Sequence, residues 1–435
     1  MTNIVTSALF ESSSPRLKRW NPDVVLPEVF RLGNCMNEFT VVDLFAGCGG
    51  ISWGFRRAGY RVVAGVDLDD AALSTFALNF PESQAILADL TGDGVDRLVE
   101  SLAIPSGELD VLVGGPPCQG FSKNVTRSGR FLEDAKNLLV RSFIRAAELF
   151  RPRIILMENV AEMANAFEGA FREEIEARFA EFGYKVEYQV HNAAEHGVPQ
   201  RRRRVVFLAS RTGVLPALPR PKCQVGLSDG THMAGGAPTG SVSVWDAIGD
   251  LSPVREGRGT GGTYASEPFS AYQRMMRSAC ASSVTDHVER KLQPTQQARY
   301  DALAPGEGLR ELPDHLRPNS GYSGAYGRLT KEMIAPTITR WCFHPGSGRF
   351  GHPVEQRILT IRELARLQSF SDDFRFSGTN QQKSWQVGNA VPPLLAEAFA
   401  QEIARVLKGE AQPTVRLAKK PAPRLTENQL TLFGK

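Results

Sequence analysis

The short apolar run Phe39–Phe45 ends on Ala46-Gly47-Cys48-Gly49-Gly50 and passes directly into an amphipathic stretch that reaches Ala58. That pattern reads as strand, glycine turn and helix. A strand that feeds a helix calls for a crossover to a parallel neighbour, so the chain is constrained toward an α/β sheet. The same alternation continues. Arg61–Val66, Ala85–Leu87, Leu109–Val113, Arg153–Met157, Tyr184–Val190 and Val205–Ala209 read as strands. Asp69–Phe80 and the stretches 135–150 and 166–182 read as helices. The expected fold class is α/β, a Rossmann-like, parallel or mostly parallel sheet with helices on both faces.

Glycines in a strand-to-helix turn let the backbone approach a ligand, and the helix N-terminus offers free N–H groups. Asp67 closes the second strand, where an acid accepts hydrogen bonds from a ribose. Asp89 follows the third strand and is placed to meet an adenine edge. The layout suits a nucleotide-like ligand. A nicotinamide oxidoreductase, or a structural turn with N-capping acids, would place glycines and acids in the same way.

Residues 1–38 carry Ser12, Ser13, Ser14, Pro15, Pro22 and Pro27, which break any pattern, and form an N-terminal extension. Residues 39–210 and 356–408 make one α/β unit, with amphipathic helices at Ile358–Ser369 and Val391–Leu407. Between them, 211–355 is crowded with proline and glycine and loses regular alternation. From Gly409 a Pro- and Lys-rich tail, expected to be flexible, covers residues 409–435. No run of about 18 apolar residues is present, and Met1–Ser14 lacks the pattern of a signal peptide, so a cytoplasmic, nucleoid-associated chain is expected. The six cysteines are scattered without a Cys-x-x-Cys pair, which argues against a disulfide framework or a metal knuckle. The net charge of +4 allows a nucleic-acid partner without requiring one.

After the fourth strand comes Gly114-Gly115-Pro116-Pro117-Cys118-Gln119-Gly120-Phe121-Ser122. Two prolines fix the backbone between glycines, and a cysteine is presented at the carboxyl edge of the sheet, where a thiolate can act as nucleophile. With this block the chain resembles the cytosine-5 DNA methyltransferases of bacterial, phage and restriction-modification type. Asp43–Gly50 is similar to their first block, Gly114–Ser122 to the nucleophile block, and Glu158-Asn159-Val160 to the Glu-Asn-Val block. Gln200-Arg201-Arg202-Arg203-Arg204 is similar to Gln-x-Arg-x-Arg. Arg357–Gln368 is similar to the helix after the recognition region. Gln386-Val387-Gly388-Asn389-Ala390-Val391-Pro392-Pro393 is similar to the last block. They occur in the family's order and spacing, over about half of the chain. Asp67 stands where many members have Glu, and Leu68 where a larger ring often lies against adenine.

The resemblance implies S-adenosylmethionine as cofactor, on Asp43, Phe45, Ala46, Gly47, Gly49, Gly50, Asp67, Leu68, Asp89, Leu90, Pro116, Asn389, Ala390 and Val391. It implies a methyltransferase in which the Cys118 thiolate adds to carbon 6 of a cytosine, so that carbon 5 can take the methyl group. Glu158 would donate a proton at ring nitrogen 3, and Asn159 would orient the loop or the glutamate. Arg204 would bind the exocyclic oxygen, and Arg202 would help to keep the cysteine charged. The base must leave the duplex to reach such a pocket.

Residues 211–355 then correspond to a target recognition domain, with Arg328, Thr337, Thr339 and Arg340, together with Gln119 and Ser122, as candidates for DNA contact. Each of these has a plainer reading as a residue that only shapes loops. Near the end, Gln429-Leu430-Thr431-Leu432-Phe433 resembles the short peptide by which bacterial replication and repair proteins bind the sliding clamp, with Gln429 as polar anchor and Leu430, Leu432 and Phe433 as pocket fillers. Expected partners are duplex DNA, that clamp and a cognate restriction endonuclease, for a monomeric enzyme. The alternatives are a tRNA cytosine-5 methyltransferase, whose Cys-Phe-Thr signature Cys342-Phe343-His344 does not match, and a non-catalytic DNA-binding regulator on the same fold.

Overall fold

The computed structural model describes residues 18–19, 38–117, 138–225, 240–254, 261–277, 284–319 and 324–410. Its strands are β1 (Lys18–Arg19), β2 (Thr40–Leu44), β3 (Arg61–Asp67), β4 (Gln84–Leu87), β5 (Val111–Gly114), β6 (Ile154–Val160), β7 (Lys185–Asn192) and β8 (Arg203–Ser210). These form one eight-stranded sheet in the order β1-β4-β3-β2-β5-β6-β8-β7. All pairs from β1 to β6 are parallel, whereas β8 runs antiparallel to both β6 and β7. The reversal has a local cause. Only the 3₁₀ turn Ala193–His196 and a few further residues separate β7 from β8, too few for a crossover back to a parallel position. Within the N-terminal extension, Lys18 and Arg19 pair with Ile86 and Leu87 as a short edge strand.

The central strands are apolar on both sides and alternate between two hydrophobic clusters. Val41, Val111, Val113, Ile154, Leu156, Val206 and Leu208 face one, with α1 (Gly50–Arg57) packed there. Val42, Leu44, Leu112, Ile155, Met157, Val205 and Phe207 face the other. The remaining early helices are α2 (Asp70–Asn79), α3 (Gly94–Leu102), α4 (Leu138–Phe150) and α5 (Ala170–Glu181). The helix expected from residue 166 starts at Ala170, because Ala161–Gly169 winds as 3₁₀.

The Pro/Gly-rich stretch carries α6 (Val244–Ile248), a two-stranded ribbon of β9 (Gly261–Gly262) and β10 (Val284–Thr285), α7 (Ala271–Met276) and α8 (Pro294–Asp301). Its Val244, Ile248, Tyr272, Tyr300, Leu329 and Ile338 join the same cluster as Val41 and Val113 of the sheet. α9 (Ile361–Leu367) is buried along its whole length, and its Arg362 and Arg366 are fully buried. Arg366 pairs with Asp250 at 2.5 Å and Asp372 at 2.7 Å, tying the end of α6 to the return of the chain. α10 (Asn380–Asn389) and α11 (Pro393–Leu407) complete the fold.

From β2 the chain steps to β3 on one side, and β5 adds on the other. The carboxyl ends of β2 and β5 therefore diverge into different loops, which opens the crevice where sheets of this kind hold ligands.

Candidate active site at the carboxyl edge of the sheet

The turn after β2 needs unusual backbone. Phe45 has φ +59°, Gly47 +55° and Gly49 +95°. The turn is braced by Ala46 N–H to Val66 O (3.0 Å) and by Gly47 N–H to the Asp67 carboxylate (2.7 Å). Around Gly47 nothing lies within 4 Å of where a side chain would begin, so this turn leaves open space beside its backbone. Gly50 is the opposite case. A Cβ there would lie 2.4 Å from Val391 O and 3.1 Å from the Ala390 Cβ, so the last block folds against the first turn of α1. Asp43 is fully buried and accepts from Ser52 Oγ at 2.7 Å, while its Oδ1 has no hydrogen-bond partner. Burial, against the Ser52 bond, pushes Asp43 up to about 7.

Asp67 also accepts the N–H of Asp69 at 2.9 Å, and burial raises its pKa against these backbone donors. Leu68 beside it is 66% exposed, an apolar surface at the rim. Asp89 is exposed and accepts Thr91 N–H at 2.9 Å, and Leu90 is buried beneath it. Asn389 is exposed at the end of α10, and Ala390 O accepts from Gln368 Nε2 at 2.7 Å.

The chain leaves β5 through Gly114, where a Cβ would lie 2.3 Å from Leu44 O, and Gly115, where it would lie 3.1 Å from Glu158 Oε2. The next carbonyl, of Pro116, accepts from Asn159 Nδ2 at 2.8 Å, and Asn159 Oδ1 accepts Val160 N–H at 2.9 Å. Asn159 thus fastens the Pro-Pro turn to β6 from a buried position. Cys118, Gln119 and Ser122 lie outside the described residues, as do Gln429, Leu430, Leu432 and Phe433.

Arg204 opposes Val160 across the β6–β8 ladder, which puts it diagonal to Glu158 on one face. Its Nε stands 2.7 Å from Glu158 Oε1. The contact is an ion pair without hydrogen-bond alignment, so this buried oxygen keeps an unfilled acceptor site. Arg202 is buried, and its Nη1 donates to Ile338 O (2.9 Å) and Gly388 O (3.1 Å). Burial, with the charge of Arg204, lowers its pKa well below the ordinary arginine value. Arg202 therefore knits the Gln-x-Arg-x-Arg segment to the end of the Pro/Gly-rich region and to α10. Gln200, which sequence reasoning left without a role, is fully buried between them. Its Nε2 donates to Leu367 O at 3.2 Å, and its Oε1 accepts Ile338 N–H at 2.8 Å. Its place in the same five-residue block was the available signal.

Three other cysteines are free and buried. Burial pushes the Cys48 thiol far up and Cys342 up to about 12, so neither supplies a thiolate. Arg328 is 3% exposed and donates to the carbonyls of His352, Leu303 and Glu355, so its guanidinium is engaged inside the protein. Thr337 Oγ1 donates to Arg201 O at 2.6 Å and holds two segments together. Thr339 and Arg340 are exposed.

A family model described as C-5 cytosine-specific DNA methylase matches residues 39–405. The chain is 34% identical over 376 residues to the Type II methyltransferase M1.HphI of Haemophilus parahaemolyticus, covering 86% of this chain and 89% of that one. It is 33% identical over 423 residues to the Type II methyltransferase M.XorII of Xanthomonas oryzae pv. oryzae, covering 90% and 89%. Among solved structures, a putative DNA modification methyltransferase encoded within an E. coli prophage shares the fold with a TM-score of 0.64, at 24% identity, over 85% of this chain and all of that one. With the family model matched over most of its length, the chain belongs to the C-5 cytosine-specific DNA methylases.

Proposed function

We propose that this DNA cytosine-5 methyltransferase takes its methyl group from S-adenosylmethionine and acts on a cytosine flipped out of duplex DNA, through a Cys118 adduct. The observation that carries the reading is Glu158. A buried carboxylate beside Arg204, with an oxygen left without a hydrogen bond, is costly unless a ligand fills it. The exocyclic amino group on the edge of a cytosine, a donor, does so.

The open backbone at Gly47, the exposed Leu68 and the acid at Asp67 fit a nucleoside-bearing cofactor. When bound, it supplies an electrophilic methyl group on sulfur. Asp43, Phe45, Ala46, Gly49, Gly50, Asp89, Leu90, Pro116 and Asn389–Val391 would frame it. The thiolate of Cys118 adds to carbon 6, and the electron pair of the 5,6 double bond becomes available at carbon 5. Glu158 donates a proton at nitrogen 3, which absorbs the negative charge developing there. Arg204 donates to the exocyclic oxygen while holding Glu158 in place. After transfer, the carbon-5 proton is lost to solvent, the thiolate departs from carbon 6 and the nitrogen-3 proton returns to Glu158, which restores the 5,6 double bond and the starting enzyme. Asn159 keeps the Cys118 turn in register through Pro116.

The test is labelled methyl transfer to genomic DNA by wild type and Cys118→Ala, with trapping on duplex DNA containing 5-fluorocytosine. Incorporation as 5-methylcytosine that vanishes in the variant, with a covalent complex only for wild type, is expected. Transfer to tRNA but not to DNA would overturn the reading. In the same reading the peptide Gln429–Phe433 binds a sliding clamp. Deleting residues 429–435 should abolish clamp binding and leave transfer to short duplexes intact. Retained clamp binding would refute that part.

A further inference from the structure

Arg340 differs from Arg328 and Arg349 in how its guanidinium is held. Arg328 is buried and Arg349 half-buried, and both donate to backbone carbonyls. Arg340 is exposed, and among the described residues no acid or carbonyl oxygen meets its guanidinium. What holds it is aromatic. Its guanidinium carbon lies 4.9 Å from the ring centre of Trp341 and 4.9 Å from that of Trp385. The two indoles stand edge to face, 6.1 Å apart at 80°, and form an angled cradle. Trp341 is 50% exposed, although an indole is seldom left so open without use.

The cradle sits at a telling place. Thr339 and Arg340 pass so close to α10 that a Cβ on Gly388 would lie 2.3 Å from the Thr339 carbonyl carbon. Arg202 bonds both Ile338 O and Gly388 O, and two residues further on Arg204 meets Glu158. The turn is fixed by Cys342 N–H to Thr339 O at 3.0 Å and His344 N–H to Trp341 O at 2.8 Å. A guanidinium held against aromatic faces loses side-chain freedom but keeps its N–H edges for a partner with two anionic oxygens.

We propose that Arg340 grips a backbone phosphate of the DNA beside the flipped cytosine, with Trp341 and Trp385 as positioning residues that restrain its guanidinium. The inference rests on the functional reading above. It assigns Arg340 to holding the backbone, not to reading bases. The strand that delivers a base into the Glu158 pocket must carry its phosphates past this seam, and a phosphate offers the oxygens that Arg340 lacks.

The test is a potassium chloride titration of binding to a fluorescent duplex containing a site methylated by wild type. It is paired with a genomic map of methylated sites and a thermal melt. Arg340→Gln should weaken binding roughly tenfold, a lost charge-assisted bond. It should also flatten the slope of log affinity against log salt by about 0.9. The site map and Tm should be unchanged. Arg340→Lys should restore the slope with part of the affinity. Trp341→Ala should keep the slope but lose affinity, because the charge remains while its restraint goes. An unchanged slope in Arg340→Gln, or a changed site map, would overturn the proposal. Wild type that transfers no methyl to duplex DNA would remove the functional reading instead.

Discussion

Asn159 is the residue whose replacement tests most directly whether the Pro-Pro turn is positioned or merely attached. In Asn159→Ala, Pro116 O loses its donor at 2.8 Å and Val160 N–H loses its acceptor at 2.9 Å. The Pro116 carbonyl belongs to a buried residue, and leaving a buried acceptor unpaired costs about 1–3 kcal/mol. The second bond adds about 1 kcal/mol. If this energy holds the turn in its productive place, then at about 1.4 kcal/mol per factor of ten the rate of methyl transfer falls on the order of 10²-fold. Asn159→Asp sharpens the test. It is nearly isosteric and keeps the acceptor for Val160, but sets a carboxylate oxygen against the Pro116 carbonyl. Its single-turnover rate should fall at least as far as that of the alanine variant. The assay is single-turnover transfer with saturating cofactor and DNA, beside cofactor binding and a urea melt. A rate within twofold of wild type for both variants would refute the positioning role. So would a loss matched by absent cofactor binding, which would point to a general collapse of the site.

Three further outcomes follow from named contacts. Gly50→Ala puts a methyl group 2.4 Å from Val391 O, so the seam between α1 and the last block must open. We expect roughly 1–3 kcal/mol less stability in urea and weaker cofactor binding, whereas an unperturbed melt would show that the seam yields freely. Arg328→Ala removes three carbonyl partners and should cost about 3 kcal/mol or more while leaving the map of methylated sites unchanged; a changed map would restore it as a base reader. Asp43 is a carboxyl raised to about 7 in the folded chain, so the folded state binds a proton that the unfolded state releases, and its contribution weakens as pH rises from about 4 to 7. Asp43→Asn should therefore gain stability relative to wild type between pH 5 and pH 8, by up to a few kcal/mol, in paired denaturant melts. Equal differences at both pH values would contradict it.

What the sequence made legible was what depends on short-range pattern. The glycine turn, the strands around it and the helices at 361–367 and 393–407 follow from apolar periodicity and punctuation, and their boundaries shift by only a few residues. α10 was invisible for a physical reason. Asn380–Asn389 is polar and lacks an apolar stripe, and it is started by the Thr379–Gln382 capping box and held by tertiary bonds such as Gln386 to Ala71 O. The Pro/Gly-rich region was legible as irregular but not as sharing a core, because its buried residues are paired over distances that no local window spans. Arg366 with Asp250 and Arg328 with Leu303 are examples. The same limit explains the site. Block order located Glu158 and Arg204 but could not distinguish an arginine exposed for DNA from one that holds loops together, since both are a single basic letter amid prolines and glycines. Burial and partners separate them. Arg328 has its acceptors inside the protein, whereas Arg340 rests between two tryptophans with its donors unfilled. The unfilled donor is therefore what the proposed phosphate contact rests on, at the seam where Arg340 meets α10 and the last block.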